Sequence, residues 1–408
     1  MVYLSVLGRQ PEISLAELQA IFSHVKQISS NLATFELSAG SSYTELSTSR
    51  LGGSLKLAVK LEQPPIQFLQ NLPEGKITIG VSDYSKNASV KTAKTEALKL
   101  KKILVRHGRS VRIVENQSAT LSTATALHNG LSGKNARKIE LIKHDNTWYK
   151  TIGIQDIDAY TKRDQARPAR DAKVGMLPPK LAQILINLCG PLPQDSTILD
   201  PFCGTGVVLQ EALLMGYHAY GTDLSERMVE YSKKNLIWLK NIKIANTEEL
   251  RDKISDFVAV GAKQGDKTSN LSPHEASETC GFHVYKVEVG DAVNYKWAQP
   301  IDAIACEGYL GRPFSIAPSD IALKEQKQEC GAIALGFLKN LALQIKSNTP
   351  VVIAVPAWLR PDEKYERLDI IDEIENMGYN VNNKTREGLL YHRNDQVVAR
   401  DILILRKK

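Results

Sequence analysis

The stretch "LDPFCGTGVV" (199–208) sets a carboxylate, Asp200, two residues before Phe202 and directly ahead of a turn carrying Gly204 and Gly206. Glycines at that spacing after an apolar run let a ligand approach the backbone, and in α/β sheets ligands lie at the carboxyl ends of strands. Nineteen residues after Gly204, "GTDLS" places Asp223 and Leu224 at the end of the next expected strand. A carboxylate there can accept hydrogen bonds from both hydroxyls of a ribose. "VGDAV" then supplies Asp291 and Ala292, and Asp291 can accept from an adenine amino group. Each acid singly suits a helix N-cap, but three at consecutive strand ends suit a nucleoside crevice.

The glycine pattern narrows the ligand. A dinucleotide fingerprint asks for a third glycine three residues after Gly206, and that position is Leu209. No Gly-Lys-Ser/Thr follows, which excludes a P-loop. A single-nucleoside cofactor without a pyrophosphate remains. S-adenosylmethionine fits, because its carboxylate and amine need donors and an acid rather than a phosphate cradle. The five cysteines (189, 203, 280, 306, 330) form no CxxC pair; no metal site or disulfide framework is expected, and a reducing cytoplasm suits them. No run approaches the roughly 18 apolar residues of a membrane helix, and "MVYLSVLGRQPEIS" has no signal-peptide pattern.

These residues need a scaffold. At 408 residues and 43% apolar content, the chain suits two or three domains with real cores. "PPKLAQILINLCG" predicts a helix from Pro179 with Leu181, Ile184, Leu185 and Leu188 inward and Gly190 as its stop. From "STILD" onward strands alternate with helices, including helices near 327–346 and 363–377. The order predicts an α/β doubly wound sheet with an antiparallel hairpin, "GLLYHR" and "ARDILILR", at its end. Residues 244–281 are polar and strand-poor and read as an inserted loop.

Upstream, "VYLSVLG" reads as a strand, "SLAELQAIF" as a helix opened by Ser14 and Glu17 at capping-box spacing, and "ATFELS" as a strand. "KITIGVSDY" is a strand, and 87–107 a lysine-studded helix with Leu100, Ile103 and Leu104 inward. "SVRIVE" (strand), "SATLSTATALHNGL" (helix) and the strand pair "KIELIKH" and "TWYKTIGIQ" follow. The net charge is +7, yet Lys76 to Lys173 holds 20 Lys plus Arg against 9 Asp plus Glu, a surplus of 11, so the remainder nets −4. A basic block on a slightly acidic body suggests a polyanionic partner. In the connector, Lys162, Arg163, Arg167 and Arg170 are the candidate phosphate contacts, with pairing to Asp156, Asp158, Asp164 and Asp171 as the alternative.

"LDPFCGTGVVLQEALLMGYHAYGTDLSERMVEYSKKNL" resembles the cofactor motif of THUMP-domain methyltransferases that modify guanosine N2 in tRNA, the position-10 group. "YLSVLGRQPEISLAELQAIF" is similar to that family's ferredoxin-like module and "SVRIVENQSATLSTATALHNGL" to its THUMP domain. "DIDAYTKRDQARPARDAKVGMLPPKLAQILINLCGP" resembles its linker and first helix, and "LLYHRNDQVVARDILIL" its closing hairpin. The resemblance implies a ferredoxin-like α+β module over 1–65, a THUMP RNA-binding domain over 66–160, a basic linker over 161–178 and a Rossmann-like methyltransferase domain over 179–408. It implies a cytoplasmic, S-adenosylmethionine-dependent tRNA methyltransferase; nothing in the sequence indicates a membrane or a protein partner subunit. Carried over by position, Asp200, Phe202, Gly204 and Gly206 line the methionine side, Asp223 takes the ribose, and Asp291 with Ala292 holds the adenine.

After the fourth strand the chain departs from that family. Amine methyltransferases carry Asp-Pro-Pro-Tyr there, whereas this sequence reads "CEGYLG": Glu307 replaces the acid, Gly308 and Tyr309 the prolines, and Leu310 the aromatic. Three readings stand. Glu307 accepts from the amine while Tyr309 packs on a flipped base; or the target atom differs; or methyl transfer is lost and the protein is an RNA-binding helper. Cys306 and Cys203 are read as structural.

Overall fold

A computed structural model describes residues 1–37, 46–171, 176–241, 278–280, 283–297, 300–383, 389–393 and 396–408. It divides into two compact units, Met1–Asp158 and Ala159–Lys408. The sequence segment 244–281 lies, apart from 278–280, outside the described residues.

The first unit is one eight-stranded sheet with helices. Its elements are β1 (Val2–Leu7), α1 (Pro11–Ile21), β2 (Ser23–Ser29), β3 (Leu32–Glu36), β4 (Ser54–Lys60), α2 (Pro65–Gln70), β5 (Ile77–Asp83), α3 (Val90–Arg106), β6 (Val111–Ile113), α4 (Thr123–His128), β7 (Lys138–His144) and β8 (Thr147–Ile154). The strand order is β2-β3-β1-β4-β8-β7-β5-β6. Because β4 pairs with β8, Lys56 opposite Ile154, the sheet runs unbroken across residue 65.

Two local expectations are corrected. Helix α1 starts at Pro11, whose missing N–H suits a first turn, so Ser14 and Glu17 are not a capping box. Instead the Ser14 hydroxyl donates to the Gln10 carbonyl, and the buried Glu17 carboxylate accepts from the N–H groups of Gly52 and Gly53. On α3, capped by Ser89 and Thr92 in reciprocal bonds, Leu100 and Leu104 are buried but Ile103 faces outward. The buried stripe runs through Ala93 and Ala97, which leaves Ile103 off its edge.

The second unit contains α5 (Ile157–Gln165, entering from the first), α6 (Pro179–Leu188), β9 (Thr197–Asp200), α7 (Val207–Leu214), β10 (His218–Asp223), α8 (Glu226–Asn241), β11 (Glu278–Cys280), β12 (His283–Val289) and β13 (Ala303–Glu307). There follow α9 (Asp320–Ala342), β14 (Pro350–Leu359), β15 (Tyr365–Arg367), α10 (Ile371–Asn376), β16 (Tyr379–Val381), β17 (Leu390–Tyr391) and β18 (Val398–Lys407). The order β11-β12-β10-β9-β13-β14-β18-β16 has a parallel core from β12 to β14 and an antiparallel β18 between β14 and β16. This is the Rossmann-like architecture expected of the sequence. "PVVIAVPAWL" forms β14, and its near-continuous apolar run is what a strand covered on both faces requires.

Two helix positions move. The helix expected near 327–346 starts at Asp320, where the Ser319 hydroxyl caps it. The one expected near 363–377 is only Ile371–Asn376, because Tyr365–Arg367 pairs with β14 instead. Among the described residues no helix is long and apolar enough to cross a membrane.

Candidate cofactor and target site

The chain turns from one side of the sheet to the other between β9 and β13, and such a switch point opens a crevice at the carboxyl ends of the strands. Four carboxylates end four strands there: Asp200 on β9, Asp223 on β10, Asp291 just past β12, and Glu307 on β13.

The turn after β9 is held from below. Gly204 and Gly206 both have positive φ, 50° and 81°. A side chain on Gly206 would bring its Cβ to 2.8 Å from Ser232 Oγ, whereas a Cβ on Gly204 would meet only the Phe202 carbonyl oxygen, at 3.9 Å. Gly206 is thus required by packing, and Gly204 leaves the ligand side clear. The Ser232 hydroxyl donates to the Gly204 carbonyl (2.9 Å). Asn235 Nδ2 donates to the carbonyls of Thr205 and Ala169, and its Oδ1 accepts from the Ala169 N–H. One buried amide on α8 therefore fastens the connector to the glycine turn.

Asp223 accepts from the Gly204 N–H (2.9 Å) with one oxygen and from the Ser225 N–H (2.9 Å) with the other. Each oxygen keeps a further lone pair for a ribose hydroxyl. Burial nevertheless raises its pKa above the ordinary 3.8, against those two bonds. Asp200 is 2% exposed and accepts only from the Phe202 N–H (3.2 Å) among the described residues. Burial pushes its carboxyl well above the usual range, and the nearby Asp223 and Glu307 push it the same way. Phe202 packs edge-on against Phe337 at 5.3 Å between ring centres.

At the β12 end, Asp291 accepts from the Val293 N–H (3.0 Å) and caps its own turn. The buried Ala292 has its carbonyl held by Asn340 Nδ2 (3.0 Å). Leu224 is 74% exposed, an uncovered apolar side chain at the end of β10.

Glu307 is not a free carboxylate. Arg400, on β18, donates through Nε to Glu307 Oε1, and both side chains are largely buried. A carboxylate paired with a guanidinium in this way is held in one orientation as a hydrogen-bond acceptor. The next residue, Gly308, donates its N–H to the Ala354 carbonyl (2.9 Å), extending the β13–β14 ladder by one bond that a proline there cannot make. Tyr309 is 38% exposed, with its hydroxyl on Glu329 (3.2 Å) of α9. Gly311, at φ 80°, fits only as glycine, since a Cβ would lie 2.3 Å from Gln326 Oε1. Cys203 and Cys306 are buried, and burial raises both thiols well above their ordinary pKa, so neither is a poised nucleophile.

Two of the four candidate phosphate contacts are corrected. Arg163 is buried on α5 and donates to Glu211 (2.7 Å) of α7, which Gln183 also binds (2.8 Å). Arg167 has a fully buried side chain whose Nη1 reaches only the Thr205 hydroxyl at 3.4 Å and whose Nε has no partner among the described residues. Its position is fixed by burial behind the glycine turn, not by solvent. Lys162 and Arg170 remain exposed.

Asp200 and Asp223 have no ion-pair partner among the described residues, and both are harder to ionise than in water. A ligand carrying positive charge beside a nucleoside would relieve that state; S-adenosylmethionine, with an ammonium and a sulfonium, fits this donor set.

Residues 167–323 match a family model described as an RMKL-like methyltransferase domain, and residues 85–234 match a DNA methylase model. Over 75 residues the chain is 48% identical to a tRNA (guanine(10)-N2)-dimethyltransferase of Methanothermobacter thermautotrophicus, covering 18% of this chain and 22% of that one. A Pyrococcus abyssi protein of the same name is 35% identical over 108 residues, 25% of this chain and 32% of its own length. The chain thus aligns with less than a third of each of these relatives. TrmN from Thermus thermophilus aligns over 100% of both chains at 14% identity and a TM-score of 0.45. The methyltransferase-domain model thus spans the glycine turn, Asp223, Asp291 and Glu307, and part of the chain is similar to the tRNA (guanine(10)-N2)-dimethyltransferases.

Proposed function

We propose that this relative of the tRNA (guanine(10)-N2)-dimethyltransferases is itself an S-adenosylmethionine-dependent methyltransferase of tRNA, with the exocyclic N2 of a guanosine as its target. The observation that carries the reading is the pair of unneutralised carboxylates, Asp200 and Asp223, flanking the open face of Gly204, with Glu307 at the neighbouring strand end. When bound, the cofactor supplies an electrophilic methyl group, so the protein's task is placement, and orientation alone is worth about 7–11 kcal/mol.

In this reading Asp200 faces the ammonium, Asp223 the ribose hydroxyls, and the turn at Asp291 and Ala292, with Leu224 opposite, the adenine. Glu307 accepts a hydrogen bond from the exocyclic amine and so fixes the direction of the nitrogen lone pair. Its pairing with Arg400 supports the orienting role by holding the carboxylate in place. Tyr309 offers a ring for the base, and the exposed Lys162 and Arg170 offer charge to phosphates.

Mass spectrometry of nucleosides from tRNA incubated with the protein and isotopically labelled cofactor tests this. Label in N2-methylguanosine is expected; label in another nucleoside replaces the target, and none at all leaves an RNA-binding helper.

A further inference from the structure

The Glu307–Arg400 pair has capacity left over. Arg400 uses Nε on Glu307 and Nη1 on Gln396 Oε1 at 3.5 Å, and among the described residues Nη2 has no hydrogen-bond partner. Likewise Glu307 Oε2 accepts from none of them. The side chains are 6% and 16% exposed, so these atoms lie at the floor of the site rather than in bulk water. The sheet order sets their sequence in space. Glu307 is on β13, next to β9 and its glycine turn, whereas Arg400 is on β18, two strands further out. Seen from the turn outward, the site therefore presents an acceptor and then a donor.

We propose that Arg400 is a specificity-determining residue that donates to O6 of the target base while Glu307 accepts from its N2 and N1 hydrogens, so that the pair reads the Watson–Crick edge of guanine. This deepens the function proposed above and rests on it. Guanine with its amine toward the turn offers two donors, N2–H and N1–H, followed by the acceptor O6. Adenine placed with its amine in the same position would turn the N1 lone pair against the carboxylate. Cytosine would do so with N3. Guanidinium and carboxylate forks match such planar edges closely, and the ion pair holds both forks before the base arrives. The departure from Asp-Pro-Pro-Tyr then has a physical counterpart: a longer acid reaches a partner on β18, and recognition of the base's far side shifts onto that partner.

The test compares methyl transfer to tRNA carrying guanine or 2-aminopurine at the modified position; 2-aminopurine retains the amine but lacks both O6 and the N1 hydrogen, so Arg400 has no acceptor to bind and Glu307 keeps only the N2 contact. Wild-type kcat/KM should fall about tenfold to a hundredfold on 2-aminopurine, the range of a base-edge hydrogen-bond pair. Arg400→Met should lose a similar factor on guanine and change 2-aminopurine by less than about threefold. Arg400→Lys keeps a charge opposite Glu307 but lacks the planar fork. It should show the same base-dependent loss and decides the question if the methionine variant does not fold. Equal losses on both bases would mean that Arg400 only props Glu307 and would overturn the proposal, leaving the proposed function standing. No transfer to guanine by the wild type would overturn that function first.

Discussion

Replacing Asp200 by Asn probes the cofactor site with little change of shape. The amide keeps an oxygen for the Phe202 N–H, so the turn should persist, and only the charge is lost. A hydrogen bond to a charged group is worth about 1.5–3 kcal/mol, so S-adenosylmethionine should bind about 10- to 150-fold more weakly. Titration calorimetry measures it, with 5′-methylthioadenosine as the control, since that nucleoside lacks the ammonium and should lose almost nothing. The pH dependence has a definite sign. The folded pKa of Asp200 is raised well above 3.8, so on going upward from the ordinary carboxylate range the unfolded chain releases its proton before the folded one does. Stability of the ligand-free protein therefore falls as pH rises from that range toward the raised folded value. Asn cannot ionise, so the variant's denaturation midpoint should vary less with pH and be no lower than wild type near neutrality. Over the same window, wild-type affinity for the cofactor should rise with pH as the carboxylate forms. Equal losses for both nucleosides, or a less stable variant, would refute the role given to this acid.

Further outcomes follow from the connector. Arg163→Met leaves Glu211 charged and buried without its partner, which should cost about 3–5 kcal/mol in chemical denaturation without altering the salt dependence of tRNA binding. Lys162→Ala and Arg170→Ala should spare stability, and each should reduce the slope of log affinity against log salt by about one; an unchanged slope removes them from the RNA contacts. Asn235→Ala strands one N–H and two carbonyls around the glycine turn. It should lower stability by about 3 kcal/mol or more, given about 1–3 kcal/mol for each unsatisfied buried group, and a loss below about 1 kcal/mol would mean the turn holds itself.

The parts of the site legible in the sequence were those fixed by local chemistry. A strand end, two glycines with positive φ and an acid at the next strand end are neighbours through short connections, and Asp200, Gly204 and Asp223 lie where spacing places them. Partners distant along the chain were not legible. Glu307 finds Arg400 across 93 positions, through a strand inserted between two others. A signal existed: "VARDILILR" sets two ionisable residues side by side inside an apolar strand, and such residues need partners. Likewise Gln210 and Glu211 interrupt the apolar face of "GVVLQEALLMG", and Glu211 is what draws Arg163 inward. Composition counted that arginine as surface charge because counting carries no burial.

The side chain of Asn235 binds both faces of a seam: one amide grips the polypeptide at Ala169 and the loop at Thr205. Thermodynamic reciprocity then operates through a single residue. Any occupant that steadies the loop must, by the same free energy, steady the strand of chain at Ala169 beside it, and tension on that strand must loosen the occupant. Loading of the methyl donor and the set of the incoming chain are in this way two readings of one equilibrium.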